Sequence, residues 1–437
     1  MKNFKLSTFQ IWNYLIFTFF LFVASLLYYL NGSGEFSLPI SILILLINLY
    51  SCFKVRHQWY LLVIYGVIFY SNYSICMANY IAPIENYFTA WKHTAYSIEG
   101  LHILLFFSLL LNLIIPQHIS KKPILPLIQQ NRRAPILSMG ILGVVVLVGI
   151  FEFDHPDLAG TRGMGTAIYE YSIIGFIIGL YYTGKIRWLQ LLYALVGSFF
   201  VFQNFIFGGR IEGLQIILLF ILAFFSNKLR VKYVFPLLVI GLILLTGIGQ
   251  FRAEFKLSID SFLEITNRLT HEYLVTDTAY ASYFASLIFL AVLPFTPWTM
   301  RLKFFQQFLM YIFVGSRLSG FDPWGYTKGF FIHYGGGLLP FFGYFYLGVV
   351  GVILIALYLR FLLGYIAIVS ECSSGFLRCI TLYLTVTVFR WYLYGPSQLT
   401  RGCLLVAICY FSTTVYYKLH NEQAGTNILL HNKKENL

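Results

Sequence analysis

Blocks of apolar residues, each closed by a short break rich in lysine, arginine, glycine or asparagine, recur from one end of this chain to the other. A helix rises about 1.5 Å per residue, so roughly 17 to 25 apolar residues cross a bilayer. On that measure the pattern predicts helices over 11–30, 37–53, 59–82, 98–115, 136–151, 167–183, 188–207, 211–226, 233–250, 279–298, 304–317, 337–359, 376–394 and 402–418. The expected fold is all-α: a polytopic membrane domain over residues 1–437 with about 12–14 transmembrane helices. The run at 304–317 is the weakest, because its FFQQFLMYIFVG carries two glutamines and suits the membrane interface as well as a span.

Composition supports that reading. Of 437 residues, 59% are hydrophobic and 11% charged, and the mean hydropathy is +0.75. So much apolar surface exceeds what one globular core buries, and lipid must solvate it. A pI near 9.3 would suit nucleic acid, but the basic residues come in twos and threes between apolar runs, with no basic soluble domain, so no nucleic-acid partner is expected. Lys2 and Lys5 precede the run at 11–30 and no small-residue cleavage site stands before Asn31, so the run is expected to anchor rather than to be removed. The six cysteines show neither CxxC spacing nor a loop framework, and no disulfide or zinc site is expected.

Charge tests the alternation of helices independently of hydropathy. With the N-terminus inside, the breaks carrying Lys54 and Arg56, Lys121 and Lys122, Arg132 and Arg133, Lys185 and Arg187, Lys228 to Lys232, Arg301 and Lys303, and Arg360 to Arg378 all fall on the inner side. That is the positive-inside pattern. Most acidic residues fall on the outer side. Six arginines go against the trend, since Arg162, Arg210, Arg252, Arg317, Arg390 and Arg401 stand at or near the outer face.

Two outer segments are long. Residues 251–278 carry an amphipathic helical pattern expected to lie along the membrane surface. Residues 317–337 hold many glycines and Pro323, which forbid a regular helix and predict a structured loop. The tail 421–437 is polar, and a disordered cytoplasmic segment is expected there.

Several breaks carry candidate chemistry. In FGGRIEGL (207–214), Gly208 and Gly209 permit a tight turn, and the helix that follows aims its free amides outward beside Arg210, as an anion site requires. A plain hairpin turn with a snorkelling arginine explains the same residues. Glu212 is expected to pair with Arg210 or to act as a base. EFDHPDLAGTRGMG (152–165) gathers Asp154, His155, Asp157 and Arg162; a metal set is conceivable from these donors, but solvation by water accounts for them better. Arg252 and Arg401 end or begin spans. Arg390 lies inside apolar FRWYLY, where an ionisable residue marks a functional site by default, although snorkelling beside Trp391 and Tyr392 accounts for it equally. Asp322, Lys328 and His333 share the glycine-rich loop, and His333 is the side chain that titrates near neutrality without help. The GxxxG pair Gly175 and Gly179 reads as helix packing.

The Gly-Gly-Arg turn at 208–210, Arg252, the loop ending GGGLLPFFGYFYLGVVGV from Gly335, and Arg401 together resemble the Wzy-type O-antigen polymerase family, the oligosaccharide repeat unit polymerases of bacterial surface glycans. The resemblance implies a C-type glycosyltransferase (GT-C) of the bacterial inner membrane, with both termini cytoplasmic. It implies an undecaprenyl-pyrophosphate-linked oligosaccharide as substrate, membrane lipid around it, a chain-length regulator protein as a candidate partner, and neither cofactor nor metal. Arg210, Arg252, Arg162 and His333 would then be catalytic. Arg317, Arg401, Glu212, Asp157, Asp322 and Lys328 would hold substrate, while the base that takes the sugar proton stays open among His333, Asp157, Glu212 and Asp322. O-antigen ligases and lipid-linked oligosaccharide flippases are the rival readings. They differ in acceptor, and in the absence of chemistry, respectively.

Overall fold

The computed structural model of the chain describes residues 8–81, 94–116, 118–129, 132–153, 166–207, 210–229, 278–331, 336–372 and 374–435. These residues are helical, with no strand among them. The helices are α1 (Thr8–Leu30), α2 (Ser37–Val55), α3 (Trp59–Cys76, continued by a π turn Met77–Ile81), α4 (Ala95–Leu113), α5 (Pro135–Phe151), α6 (Ala167–Tyr182), α7 (Arg187–Phe207) and α8 (Arg210–Phe225). After the next described stretch begins come α9 (Thr278–Val292), α10 (Trp298–Val314), the single turns α11 (Ser316–Ser319) and α12 (Gly325–Lys328), α13 (Leu339–Leu347), α14 (Val349–Ala367), α15 (Gly375–Val386), α16 (Val388–Leu393) and α17 (Ser397–Glu435).

Seven described helices are long and apolar enough to cross a membrane: Ile11–Leu30, Ser37–Val55, Trp59–Ile81, Ala95–Leu113, Arg187–Ile206, Val349–Ala367 and Ser397–Leu419. Five shorter apolar helices accompany them. The protein is a polytopic, all-helical membrane protein. The expected helix at 233–250 and the amphipathic segment 251–278 fall, but for Thr278, outside the described residues.

Side chains at the breaks start the helices where the sequence changes character. Gln58, Thr94, Thr166 and Ser374 each accept a backbone N–H from the first turn of the helix that follows, which satisfies a donor that has no intrahelical partner. Large apolar side chains such as Phe19, Phe22, Val144, Leu147, Leu195, Phe202, Leu354 and Phe361 stay exposed on the outside. They form the face that lipid covers.

Between helices the interior uses small residues and buried polar pairs, as expected where lipid supplies no hydrophobic drive for association. Asn48 donates to Ser108 at 3.1 Å and Asn112 to Ser51 at 2.8 Å, tying α2 to α4. A Cβ on Gly175 would strike Val145 of α5, and one on Gly179 would strike the Tyr193 ring of α7. The GxxxG pair is therefore a packing device, as its spacing predicted.

One end of the bundle gathers the breaks expected on the inner side. Gln58 Nε2 donates to Ile366 O at 2.6 Å, Ser226 Oγ to Ile124 O at 2.9 Å, Trp59 Nε1 to Leu229 O at 3.2 Å and Arg132 N to Tyr181 O at 2.8 Å. This basic end carries Lys121, Lys122, Arg132, Arg133, Lys185, Arg187 and Lys228.

Four expectations change. The run at 337–359 breaks at Gly348, whose φ of +62° and ψ of −145° suit glycine. The short α13 folds back on α14 there, and the backbones of Gly343 and Gly351 approach too closely for any side chain. The run at 376–394 divides at Thr387, which interrupts it between α15 and α16. The polar tail joins α17, which continues to Glu435; the segment holds one glycine and no proline, so nothing in it forbids the helix.

The fourth concerns α10. Arg301, expected on the inner side, donates from Nε to Phe345 O at 2.6 Å and from Nη2 to Tyr344 O at 3.0 Å, beside the α13–α14 break. The 19 residues of α14 separate that break from the basic end by about 28 Å. At the other end of α10, Tyr311 meets Ser397 at the start of α17. Helix α10 thus lies across the end opposite the basic loops, in keeping with its glutamines and low hydropathy.

Candidate functional site

Helices α6 and α8 hold 16 residues each, or about 24 Å, short of a hydrocarbon core of about 30 Å. The first turns of α6, α8 and α17 meet one another and the end of α16.

Thr166 caps α6 through Tyr169 N and also donates to Glu152 at 2.6 Å. That cap sets Glu170 in the first turn, about 18 Å along the axis from the basic end. Glu212 occupies the equivalent turn of α8. Between them stands Arg390, whose Nη2 donates to Glu170 Oε1 at 2.5 Å and to Glu212 Oε1. The three side chains are largely buried, with 17% of Arg390, 26% of Glu170 and 19% of Glu212 accessible.

Neighbours fix this triad. Gln398 donates to Glu170 Oε2 at 3.0 Å and is itself held by Tyr383, whose hydroxyl donates to Gln398 O at 2.9 Å. The Arg390 guanidinium lies 5.1 Å from the centroid of the Tyr394 ring, within cation–π range. Its Nε is buried with no acceptor among the described residues. Arg401, one turn into α17, donates from Nε to the Tyr171 hydroxyl at 2.7 Å, and its guanidinium lies 5.1 Å from that ring. Its terminal nitrogens have no acceptor among the described residues, and one of them lies where a Cβ on Gly315 would stand.

One guanidinium between two carboxylates leaves the triad one negative charge in excess. A carboxylate pair of that kind holds a group suited to accept a proton, and Arg401 beside it presents unengaged N–H donors suited to an anionic oxygen. Among the described residues no three His, Cys, Asp or Glu side chains gather as a metal site.

The residues singled out in the sequence divide accordingly. Glu212 and Arg401 are in this cluster. Glu212, expected to pair with Arg210 or to act as a base, pairs there with Arg390, and Arg390 is clamped between two acids rather than snorkelling. Arg210 is the first residue of α8 and Arg317 lies in α11, with their side chains outside the described set. Arg162, Asp157, Arg252 and His333 also lie outside the described residues. Asp322 is exposed, and its Oδ1 accepts the N–H of Trp324 at 3.0 Å, which is a turn-forming role. Lys328 is exposed in α12. Trp324 ties this loop by donating to Gly336 O at 2.6 Å and packing edge-on against Tyr311.

Glu170, Tyr171 and Gln398 escaped the sequence reading. Glu170 had a usable signal, as the lone charge in sixteen otherwise uncharged residues of a span. Gln398 had none, because its role depends on α17 starting five residues earlier than hydropathy suggests.

No family model matches the chain, and neither does any curated protein or solved structure. The site stands on its own geometry.

Proposed function

We propose that this chain polymerises oligosaccharide repeat units carried on undecaprenyl pyrophosphate, on the face of a bacterial inner membrane opposite the basic loops. The positive-inside tendency assigns the basic end to the cytoplasm. The first spanning helix begins and the last runs out at that end, so both termini are cytoplasmic in this reading.

The observation that carries the proposal is the Glu170–Arg390–Glu212 triad beside Arg401, at the ends of α6 and α8 opposite the basic loops. A hydroxyl of the incoming unit attacks the anomeric carbon of the growing chain. The carbon–oxygen bond to the pyrophosphate breaks as the glycosidic bond forms. Charge grows on the leaving pyrophosphate, and the N–H donors of Arg401, with Arg210 at the start of α8, stabilise it more than water would in a partly dry site. The hydroxyl proton passes to Glu212, while Arg390 and Gln398 hold the Glu170 carboxyl in place beside it. A preorganised donor of this type contributes about 3 kcal/mol, or two to three decades in rate.

Deleting the gene tests the assignment. The account expects surface lipid capped by a single repeat with all longer chains lost. Loss of the single-repeat form as well would refer the protein to transfer onto the lipid core or to transport of the precursor.

A further inference from the structure

The basic end holds a pocket that the proposed chemistry does not use. It has a volume of about 420 Å³ and is lined by Ile128, Gln129, Lys185, Arg187 and Gln190. Lys185 and Arg187 are exposed, and among the described residues neither meets an acidic side chain. Gln190 is fixed on the pocket wall by donating to Gly184 O at 2.9 Å. Arg133 packs on Gly184 directly behind it. Glu371, an acid of the basic end, is occupied by His118 at 3.3 Å. The pocket is thus a positive site with amide donors and room for a phosphodiester.

Its surroundings select the ligand. From Arg187 the exposed face of α7 continues through Trp188, Leu191 and Leu195, which are 53%, 60% and 58% accessible. Their spacing of three and four residues makes one stripe. Tryptophan at the mouth marks the interface depth, and an apolar track runs from it into the bilayer. A free phosphate would use only the pocket, whereas a lipid uses both pocket and track.

We propose that the pocket binds the phosphate of an anionic membrane lipid, with its acyl chains along Trp188, Leu191 and Leu195. Such a contact would anchor the α6–α7 turn to the leaflet at the basic end.

The test uses the purified full chain in a neutral detergent, titrated with dioleoylphosphatidylglycerol and read by native mass spectrometry. Two cationic contacts at a membrane surface together carry about thirty-fold in affinity. The combined K185Q/R187Q variant is therefore expected to lose binding about thirty-fold, while K121Q/K122Q, which removes equal charge outside the pocket, keeps it. Dioleoylphosphatidylcholine and inorganic phosphate are expected not to compete. Equal loss in both double variants, undiminished binding in K185Q/R187Q, or displacement of the lipid by inorganic phosphate would each overturn the proposal. None of these results bears on the polymerase reading, which rests on the opposite end of the molecule.

Discussion

Glu170 and Glu212, 42 positions apart on two different helices, accept hydrogen bonds from the same nitrogen of Arg390. Two carboxylates brought this close inside a membrane protein repel unless a cation stays between them. Arg390 is the part of the site that permits the other two.

Removing that cation should cost more than removing either acid. Arg390→Met leaves two uncompensated, largely buried carboxylates, and breaking such a pair costs about 3–5 kcal/mol. The triple variant with Glu170→Gln and Glu212→Gln added should recover most of that loss. Thermal unfolding of the four purified proteins, including the double Gln variant, measures this. Additive effects across the set would deny the coupling.

Arg401 and Gly315 should behave as a unit. Gly315 has φ +83° and ψ 174°, a region open essentially to glycine and costing other residues about 1–3 kcal/mol. An alanine there would also push against the Arg401 guanidinium. Gly315→Ala is expected to lower polymer output in the direction of Arg401→Ala, a loss of two to three decades. Normal polymer in a stably expressed Gly315→Ala protein would separate the two residues.

Much of the fold could be read from hydropathy, because lipid rewards the same long apolar runs that the eye finds. Six of the seven longest spans fall where runs of 17 or more residues predict them, and the seventh, Val349–Ala367, overlaps only the second half of the run at 337–359. The breaks at Gly348 and Thr387 did not stand out, since GYFYLGVVGV and LTVTVF carry no charge, glutamine or asparagine and hydropathy is blind to backbone turns. The site was legible in part. Glu212 and Arg401 announced themselves as charges at helix ends, but their partners are set by which helices pack together, and no local spacing encodes that. Arg390 illustrates the limit: the FRWYLY context allowed both snorkelling and burial, and only the placement of α6 and α8 decides between them.

The hairpin of α13 on α14 should be intolerant of added volume. At Gly343 a Cβ meets the backbone of Gly351, which cannot give way as a flexible side chain would. Gly343→Val is expected to lower the unfolding midpoint and disturb the Arg301 contacts on Tyr344 and Phe345 carbonyls. A matched Gly364→Ala variant, where nothing lies within 4 Å, should be neutral. Equal effects of the two substitutions would contradict this packing.

At the basic end, Glu371 has its carboxyl held below the ordinary value of 4.5, first by a hydrogen bond from Ser120 and then by His118. A depressed carboxylate pKa contributes stability above the unfolded value, and that contribution disappears as pH falls through the folded value. Wild type and Glu371→Gln should therefore differ near neutrality and converge below pH 4.5. Unfolding midpoints across that range measure the difference, and a gap that persists into acid would assign it to something other than ionisation.

The most direct measurement is the ladder of surface polysaccharide from cells carrying Glu212→Gln, with the protein present at wild-type level and Glu170→Gln run beside it. The account predicts that single-repeat lipid accumulates while long chains fall by two decades or more in Glu212→Gln. A full ladder from that variant would remove Glu212 from the chemistry and, with it, the claim that the Arg390 triad is a glycan-polymerising site.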